Sequence, residues 1–77
     1  MQDFIKINTK DNVAVALKDM AAGTTLTVDG TVVTLTEDIP RGHKFALHDI
    51  SEGENVSKYG FPIGHAIEAV PTGGWIH

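Results

Sequence analysis

The stretch TTLTVDGTVVTL, residues 24–35, decides the fold class of this chain. Its two arms, residues 24–28 and 31–35, are rich in threonine and valine, which are enriched in β-strands. Asp29-Gly30 separates the arms in the two-residue form that a type I′ hairpin turn prefers. The stretch therefore predicts a β-hairpin.

Short apolar runs bounded by Gly, Pro, Asp or Asn continue on both sides of this hairpin, which is the pattern of many short strands. Residues 12–20 contain good helix formers, so a helix is the alternative there, but the alternation Val13-Ala14-Val15-Ala16 favours a strand. The sequence predicts an all-β domain. Its further strands are expected at residues 4–7, 13–17, 44–47, 56–59, 65–70 and 74–76.

A weak internal repeat consists of tight turns that each end in glycine and stand before a short hydrophobic strand. Glycine supplies a positive φ at such corners, and the apolar residue before each turn is expected to anchor it in the core. Spacings of 19, 11 and 20 residues between the glycines are too irregular for a solenoid and favour a compact, curled β structure. The turns are Ala21-Ala22-Gly23, Pro40-Arg41-Gly42, Ser51-Glu52-Gly53 and Pro71-Thr72-Gly73.

Length and composition narrow the function classes. A chain of 77 residues is a single domain, residues 1–77, too small to wall a deep pocket by itself, so a lone-chain enzyme is disfavoured. The absence of cysteine excludes disulfides and thiolate chemistry, and a net charge of −4 argues against a nucleic-acid partner. Without a leader-like start or a membrane-length apolar run, a soluble, cytoplasmic protein without membrane contact is expected.

The densest group of candidate site residues is Pro40-Arg41-Gly42-His43-Lys44, which places a guanidinium, an imidazole and an ammonium around one glycine. Such a turn could bind a carboxylate or phosphate through its backbone N–H groups and its cations. The alternative is a solvated turn in which His43 caps backbone groups, and residue chemistry alone favours that alternative.

A second candidate is the loop at residues 58–64, where two glycines and a proline constrain a segment that carries Lys58 and Tyr59. These side chains could donate hydrogen bonds or transfer protons to an anionic or hydroxylated ligand, or the loop could be purely structural. Phe61 is expected to lie in the core. No pair of histidines has the local spacing of a metal site, and His77 taken alone is typical of a surface residue.

Three blocks of the sequence, taken together, resemble the N-terminal SAF domain of altronate and galactarate dehydratases, in the same order and at similar spacing from Phe4 to His77. The blocks are Asp11-Asn12-Val13-Ala14-Val15-Ala16-Leu17, Asp38-Ile39-Pro40-Arg41-Gly42-His43-Lys44-Phe45-Ala46-Leu47 and Lys58-Tyr59-Gly60-Phe61-Pro62-Ile63-Gly64.

The resemblance implies a β-clip fold and a part in a metal-dependent hydro-lyase. That family removes water from altronate or galactarate to give 2-keto-3-deoxy sugar acids, with divalent iron or manganese in the full enzyme and no metal required in this domain alone. The expected partners are the sugar-acid substrate and a large catalytic domain or subunit, without which the chain is inactive, and a homo-oligomer is a further option.

The resemblance also implies roles for single residues. His43, Lys58 and Tyr59 are expected to be catalytic, Arg41 and Lys44 to bind substrate, and His77 to be a metal ligand because it matches a histidine-rich run of the family. Arg41 and Lys58 would hold the substrate carboxylate, while His43 or His77 would serve the metal or move a proton. The alternatives are a non-catalytic module for carbohydrate binding or subunit assembly, and the small subunit of an enzyme like sulfolactate sulfo-lyase.

Overall fold

The computed structural model describes residues 3–6, 8, 10–58 and 60–76. Their antiparallel strands form one four-stranded sheet, in the order β1-β2-β5-β8, and two hairpins, β3–β4 and β6–β7. The all-β prediction is confirmed, and none of the described residues belongs to a helix that could cross a membrane. The strands are β1 (Phe4–Ile5), β2 (Val13–Ala16), β3 (Thr25–Val28), β4 (Thr31–Thr34), β5 (Lys44–Ala46), β6 (Asn55–Lys58), β7 (Phe61–His65) and β8 (Trp75–Ile76).

The predicted hairpin at residues 24–35 is confirmed as β3–β4. Asp29 and Gly30 have φ values of 49° and 80°, the positive pair that a type I′ turn requires. The helix considered for residues 12–20 is wrong, because β2 runs through its first half. Val13 and Ala14 are both buried to 1% exposure although successive strand residues point to opposite faces, so both faces of the sheet are covered.

The two hairpins cover opposite faces of the four-stranded sheet. Side chains of directly paired residues share a face, and Ala14 pairs with Phe45, which pairs with Trp75. This face packs against the hairpin β3–β4 in the larger hydrophobic cluster, to which that hairpin contributes Leu26, Val28, Val33 and Leu35. The other face packs against β6–β7 in a smaller cluster, made of Val13, Ala46, Ile50, Val56, Ala66 and Ile76.

The two halves of the chain repeat one backbone plan, and β5 belongs to both. Val15 pairs with Lys44 as Phe45 pairs with Trp75, and the bridge between Met20 and Ile39 has its counterpart between Ile50 and Val70. The offset is 30 residues from Met20 to Ile50 and 31 from Ile39 to Val70, because a β-bulge after Val56 adds Ile63 to β7. The spacings of 19, 11 and 20 residues between the turn glycines are too irregular for a solenoid. They do fit two copies of one plan, offset by 30 and 31 residues.

Each turn of this repeat is anchored as the sequence predicts. Met20, Ile39 and Ile50 are buried, Val70 is partly buried, and the turn glycines have positive φ, for example 85° at Gly42. The aspartate before three of these apolar residues accepts a backbone N–H bond across the bridge: Asp19 from Arg41 (2.8 Å), Asp38 from Ala22 (2.9 Å) and Asp49 from Thr72 (2.8 Å). Ala69 occupies the fourth position.

Two predictions in the second half are wrong. The strand expected at residues 65–70 lies earlier, at Phe61–His65, and Val70 forms only a single bridge. Phe61, expected in the core, is 71% exposed. It corresponds to Thr31 of the first hairpin, which is also exposed although its paired residue Val28 is buried, so a position beside the turn rather than hydrophobicity decides its exposure.

Candidate functional site

The cationic turn at residues 40–44 does not gather its three side chains around Gly42. Arg41 is exposed, and its backbone N–H donates to Asp19 Oδ1. His43 directly precedes β5 and Lys44 is its first residue, so their side chains point to opposite faces of the sheet. Arg41, His43 and Lys44 therefore remain separate candidates rather than one anion-binding nest.

His43 packs against Trp75 on the face that also carries Phe45. The two rings meet edge to face, with centroids 4.9 Å apart and planes at 82°. The backbone N–H of Trp75 donates to Glu37 Oε2 at 3.1 Å, and this bond joins the second copy of the repeat to the first. The His43 ring is exposed on its other side, so it can still meet a ligand or a partner.

Lys44 lies on the opposite face and lines a groove of about 130 Å³. Val56, Ile63 and Ile76 form the apolar part of the groove. His65 of β7 also lines it and is a second candidate to bind an anionic ligand. Lys44 is half-buried, and an ammonium partly withdrawn from water attracts a carboxylate more strongly than one in open water. Ligand pockets usually measure about 300–1,000 Å³, so the groove suits a carboxylate group rather than a whole sugar acid.

His65 is a candidate that the sequence did not single out. It is the last residue of β7 and pairs with Asn55, and the fold brings it beside Lys44 although 21 residues separate the two in sequence (65 − 44). The register of the bulged hairpin creates this proximity. No local spacing rule could have found it.

The other predicted site residues lie elsewhere or outside the described part of the chain. Lys58 ends β6, is half-buried and is not among the residues that line the Lys44 groove. Tyr59 and His77 lie outside the described residues. The roles assigned to these three residues therefore stay predictions.

The described residues do not fit a metal centre of their own. In residues 3–6, 8, 10–58 and 60–76, no group of three or more His, Asp or Glu side chains converges as metal ligands would. His48 illustrates the point, since its Nδ1 donates to the Asp49 carbonyl oxygen at 2.7 Å and its Nε2 lies 4.0 Å from Glu54 Oε2. These contacts stabilise a turn and do not form part of a metal site.

Asp49 has the clearest electrostatic signature of the described carboxyl groups. Its Oδ1 accepts bonds from the backbone N–H and the hydroxyl of Thr72, at 2.8 and 2.9 Å, and these bonds lower the pKa of Asp49 below its usual value. Burial has a smaller, opposing effect that raises this pKa, and the neighbouring His48 has the smallest effect, which lowers it. The carboxylate is thus held charged as the cap of a turn.

Asp11 and Asn12 are structural residues whose importance the sequence did not reveal. Asn12 is buried, its Nδ2 donates to the Asn55 carbonyl oxygen, and its Oδ1 accepts the Ser57 N–H, both at 2.8 Å. Asp11, also buried, accepts the Gly60 N–H at 2.7 Å. This polar clamp ties the hairpin β6–β7, and with it His65, to the sheet.

Comparisons with known proteins agree with the fold and with the three motif blocks. The model of the altronate/galactarate dehydratase SAF domain family matches residues 2–77. The chain is 55% identical over 74 residues to an altronate dehydratase of Escherichia coli (strain K12), which covers 96% of this chain and 15% of that protein. For an altronate dehydratase of Bacillus subtilis (strain 168), the identity is 47% over 77 residues, covering 100% of this chain and 16% of the relative.

A different relationship holds with a (2R)-sulfolactate sulfo-lyase subunit alpha of Chromohalobacter salexigens. Its identity is 32% over 82 residues, and the match covers 97% of this chain and 87% of that subunit. The chain thus spans about one sixth of the two altronate dehydratases and most of the length of this subunit. Because the family model covers almost every residue, the chain belongs to the altronate/galactarate dehydratase SAF domain family.

Proposed function

We propose that this chain is the accessory SAF domain, or small subunit, of a sugar-acid dehydratase, and that it is inactive without a larger catalytic part. The observation that carries the proposal is the family match over residues 2–77, combined with a share of only 15–16% of the altronate dehydratases. The groove of about 130 Å³ around Lys44 agrees with this role, because it offers an ammonium and an imidazole without room for a six-carbon substrate.

The proposed reaction converts altronate or galactarate into a 2-keto-3-deoxy acid and water. A base removes the proton on the carbon next to the carboxylate, the C–O bond of the neighbouring hydroxyl breaks, and that hydroxyl leaves as water after protonation. The resulting enol gains a proton on carbon and becomes the ketone. Atoms and electrons balance without any oxidant or reductant.

Lys44 and His65 are the described residues best placed to act in this reaction. Lys44 would hold the substrate carboxylate by a charge-assisted hydrogen bond in its groove, and His65 would donate a second bond from the same groove. Arg41, His43, Lys58, Tyr59 and His77 keep their predicted roles in substrate binding, proton transfer and metal binding. A divalent iron or manganese ion, which polarises oxygen atoms of the substrate, is proposed to be held outside the described residues.

A chimera tests this function directly. The matched segment of the Escherichia coli altronate dehydratase, 74 residues at 55% identity, is replaced by the corresponding residues of this chain, and formation of the 2-keto-3-deoxy acid is measured with altronate and with galactarate. We expect turnover by the chimera and none by the 77-residue chain alone. Lys44→Ala in the chimera should raise KM at least about tenfold, as loss of one charge-assisted bond predicts.

The matched control is Lys10→Ala, which removes an exposed cation distant from the Lys44 groove and should leave KM unchanged. If deleting the whole segment left turnover intact, the accessory catalytic role would be wrong and a module for assembly or carbohydrate binding would replace it.

The second candidate function is the small subunit of a sulfo-lyase. It is favoured by one observation, the 87% share of the (2R)-sulfolactate sulfo-lyase subunit alpha that the chain matches. Exchanging this chain for that subunit in the Chromohalobacter salexigens enzyme and measuring sulfite release separates the two candidates. Sulfite release, with an inactive altronate chimera, would favour the sulfo-lyase function.

A further inference from the structure

The second hairpin exposes large apolar side chains at two positions where the first hairpin exposes threonine. At equivalent positions Thr31 of the first hairpin corresponds to Phe61, and Thr36 corresponds to Ile67. Phe61 is 71% exposed, Ile67 is 86% exposed, and the bulge residue Ile63 is 50% exposed. We call Phe61, Ile63 and Ile67 the β7 face.

The buried positions of the first hairpin change in the opposite direction. Val28 corresponds to Lys58, Val33 to Gly64 and Leu35 to Ala66, so the second hairpin carries smaller or more polar residues where the first hairpin fills the core. One backbone plan thus buries large apolar side chains in the first hairpin and exposes others in the second. Exposed groups of large apolar side chains mark interaction surfaces in soluble proteins.

Grooves connect the β7 face to the end of the sheet. Ile63 lines the Lys44 groove, and Ile67 lines a neighbouring groove of about 250 Å³ that is walled by Val70 and Trp75. His65 and Ile76 line both grooves. The two grooves therefore link Ile63 and Ile67 of the β7 face to β8.

We propose that the β7 face is the docking surface for the large catalytic part of the dehydratase, with Phe61, Ile63 and Ile67 at the centre of the interface. This inference rests on the proposed function. It commits to that occupant because the altronate dehydratases carry this domain at their N-terminal end, so in them the polypeptide continues from the position of Ile76, which lines both grooves. The match covers 15–16% of the length of those relatives. About five sixths of each relative therefore lies outside the match and is available to cover the β7 face.

Docking on the β7 face would also enclose the groove that Lys44 and His65 line. Lys44 and His65 stand in the groove that the β7 face borders, so a partner seated on Phe61 and Ile63 would close that groove and enlarge it into a cavity between the two parts. Exclusion of water would strengthen the attraction between Lys44 and a substrate carboxylate. One surface would thus combine assembly and substrate binding.

The test compares hydrogen exchange in the 77-residue chain with exchange in the dehydratase chimera described above. Burial should slow exchange of the backbone amides at residues 61–67 at least about tenfold in the chimera, while residues 31–36 of the first hairpin change less than about twofold. If the Escherichia coli chimera does not fold, the same exchange is made in the Bacillus subtilis dehydratase, which matches all 77 residues.

Variants assign the protection to the proposed side chains. Phe61→Ser combined with Ile67→Ser should restore fast exchange at residues 61–67 of the chimera, whereas Val32→Ser should not. Val32 is the matched control because it is a large apolar side chain, 62% exposed, on the outward side of the first hairpin.

Equal exchange of residues 61–67 in the chain and the chimera would overturn the proposal. It would also be overturned if the 77-residue chain formed dimers by sedimentation that Phe61→Ser dissolved, since a second copy would then be the occupant. A chimera protected at β7 but without dehydratase turnover would contradict the proposed function alone, and an active chimera with an unprotected β7 would contradict the docking surface alone.

Discussion

The hairpins β3–β4 and β6–β7 share a backbone plan and are held to the sheet by different forces. The first hairpin buries Leu26, Val28, Val33 and Leu35 in the larger hydrophobic cluster. Among its described residues, the second contributes only Val56 and Ala66 to its cluster, and it is fastened by the Asp11–Asn12 clamp. The comparison indicates that the first hairpin stabilises the domain by burying large apolar side chains, while the second exposes such side chains to solvent.

The turn glycines give the largest expected contrast between the two copies. Gly42 and Gly73 are equivalent and have φ values of 85° and 82°, but a Cβ at Gly42 would meet open space, while one at Gly73 would collide with the backbone carbonyl oxygen of Thr34. Gly73→Ala should therefore cost about 3–4 kcal/mol of unfolding free energy, and Gly42→Ala about 1–2 kcal/mol for the left-handed conformation alone. Urea unfolding measures both, and equal losses would refute the close approach at Gly73.

Leu35→Ala gives the first hairpin the small residue that the second has at Ala66. Leu35 is 1% exposed, so the lost burial and the cavity should reduce the free energy of unfolding by about 3 kcal/mol. The control Ile67→Ala, at a position 86% exposed, should change it by less than about 0.5 kcal/mol. Thermal unfolding of both variants checks the contrast, which would fail if Ile67→Ala cost as much as Leu35→Ala.

Asn12→Ala tests the polar clamp, whereas Leu35→Ala tests the hydrophobic core. The Ser57 N–H and the Asn55 carbonyl would lose their partner at a partly buried position, which should cost about 2 kcal/mol. Amide exchange should accelerate at residues 55–58 and 61–65 more than at residues 25–28 and 31–34. Uniform acceleration in both hairpins would show that the clamp supports the whole domain rather than the second hairpin.

Ala69→Asp would restore the aspartate missing from the fourth corner. By analogy with Asp38, which accepts the Ala22 N–H, the new carboxylate should accept the Glu52 N–H and raise the free energy of unfolding by at most about 1 kcal/mol. Asp38→Ala is the reciprocal control and should lower it by a similar amount. Since the chain has a net charge of −4, the gain should be larger at high salt; a loss at every salt concentration would contradict the equivalence of the corners.

The smallest effect is expected for Asp49→Asn, because this carboxylate is exposed. Its bonds from Thr72 lower the pKa in the folded state below its usual value, so the charged form is the one that stabilises the fold. The stabilisation is present above the usual pKa of an unfolded aspartate and is lost as the pH falls through the folded pKa. Urea unfolding at pH 7 and at pH 2–3 should therefore show a wild-type advantage that shrinks in acid; an advantage independent of pH would exclude the charge as its cause.

Much of the fold could be predicted from local patterns. The turn Asp29-Gly30, the alternation in Val13–Ala16 and the glycine corners each depend on a few neighbouring residues, and each is confirmed. The exposure of Phe61 could not be predicted in the same way, because it depends on whether the core extends as far as the turn of the hairpin. His65 beside Lys44 was missed for the same reason, since their proximity depends on register and on a bulge.

The sequence by itself determined the fold class, the turns and, through its motif blocks, the family, because dihedral preferences and motif spacing are properties of short segments. Only the tertiary structure decided which apolar residues form the core and which form the β7 face, and which cations share a groove. Those outcomes depend on the pairing of strands far apart in the chain, so equivalent positions such as Thr31 and Phe61 can carry opposite chemistry on one backbone plan.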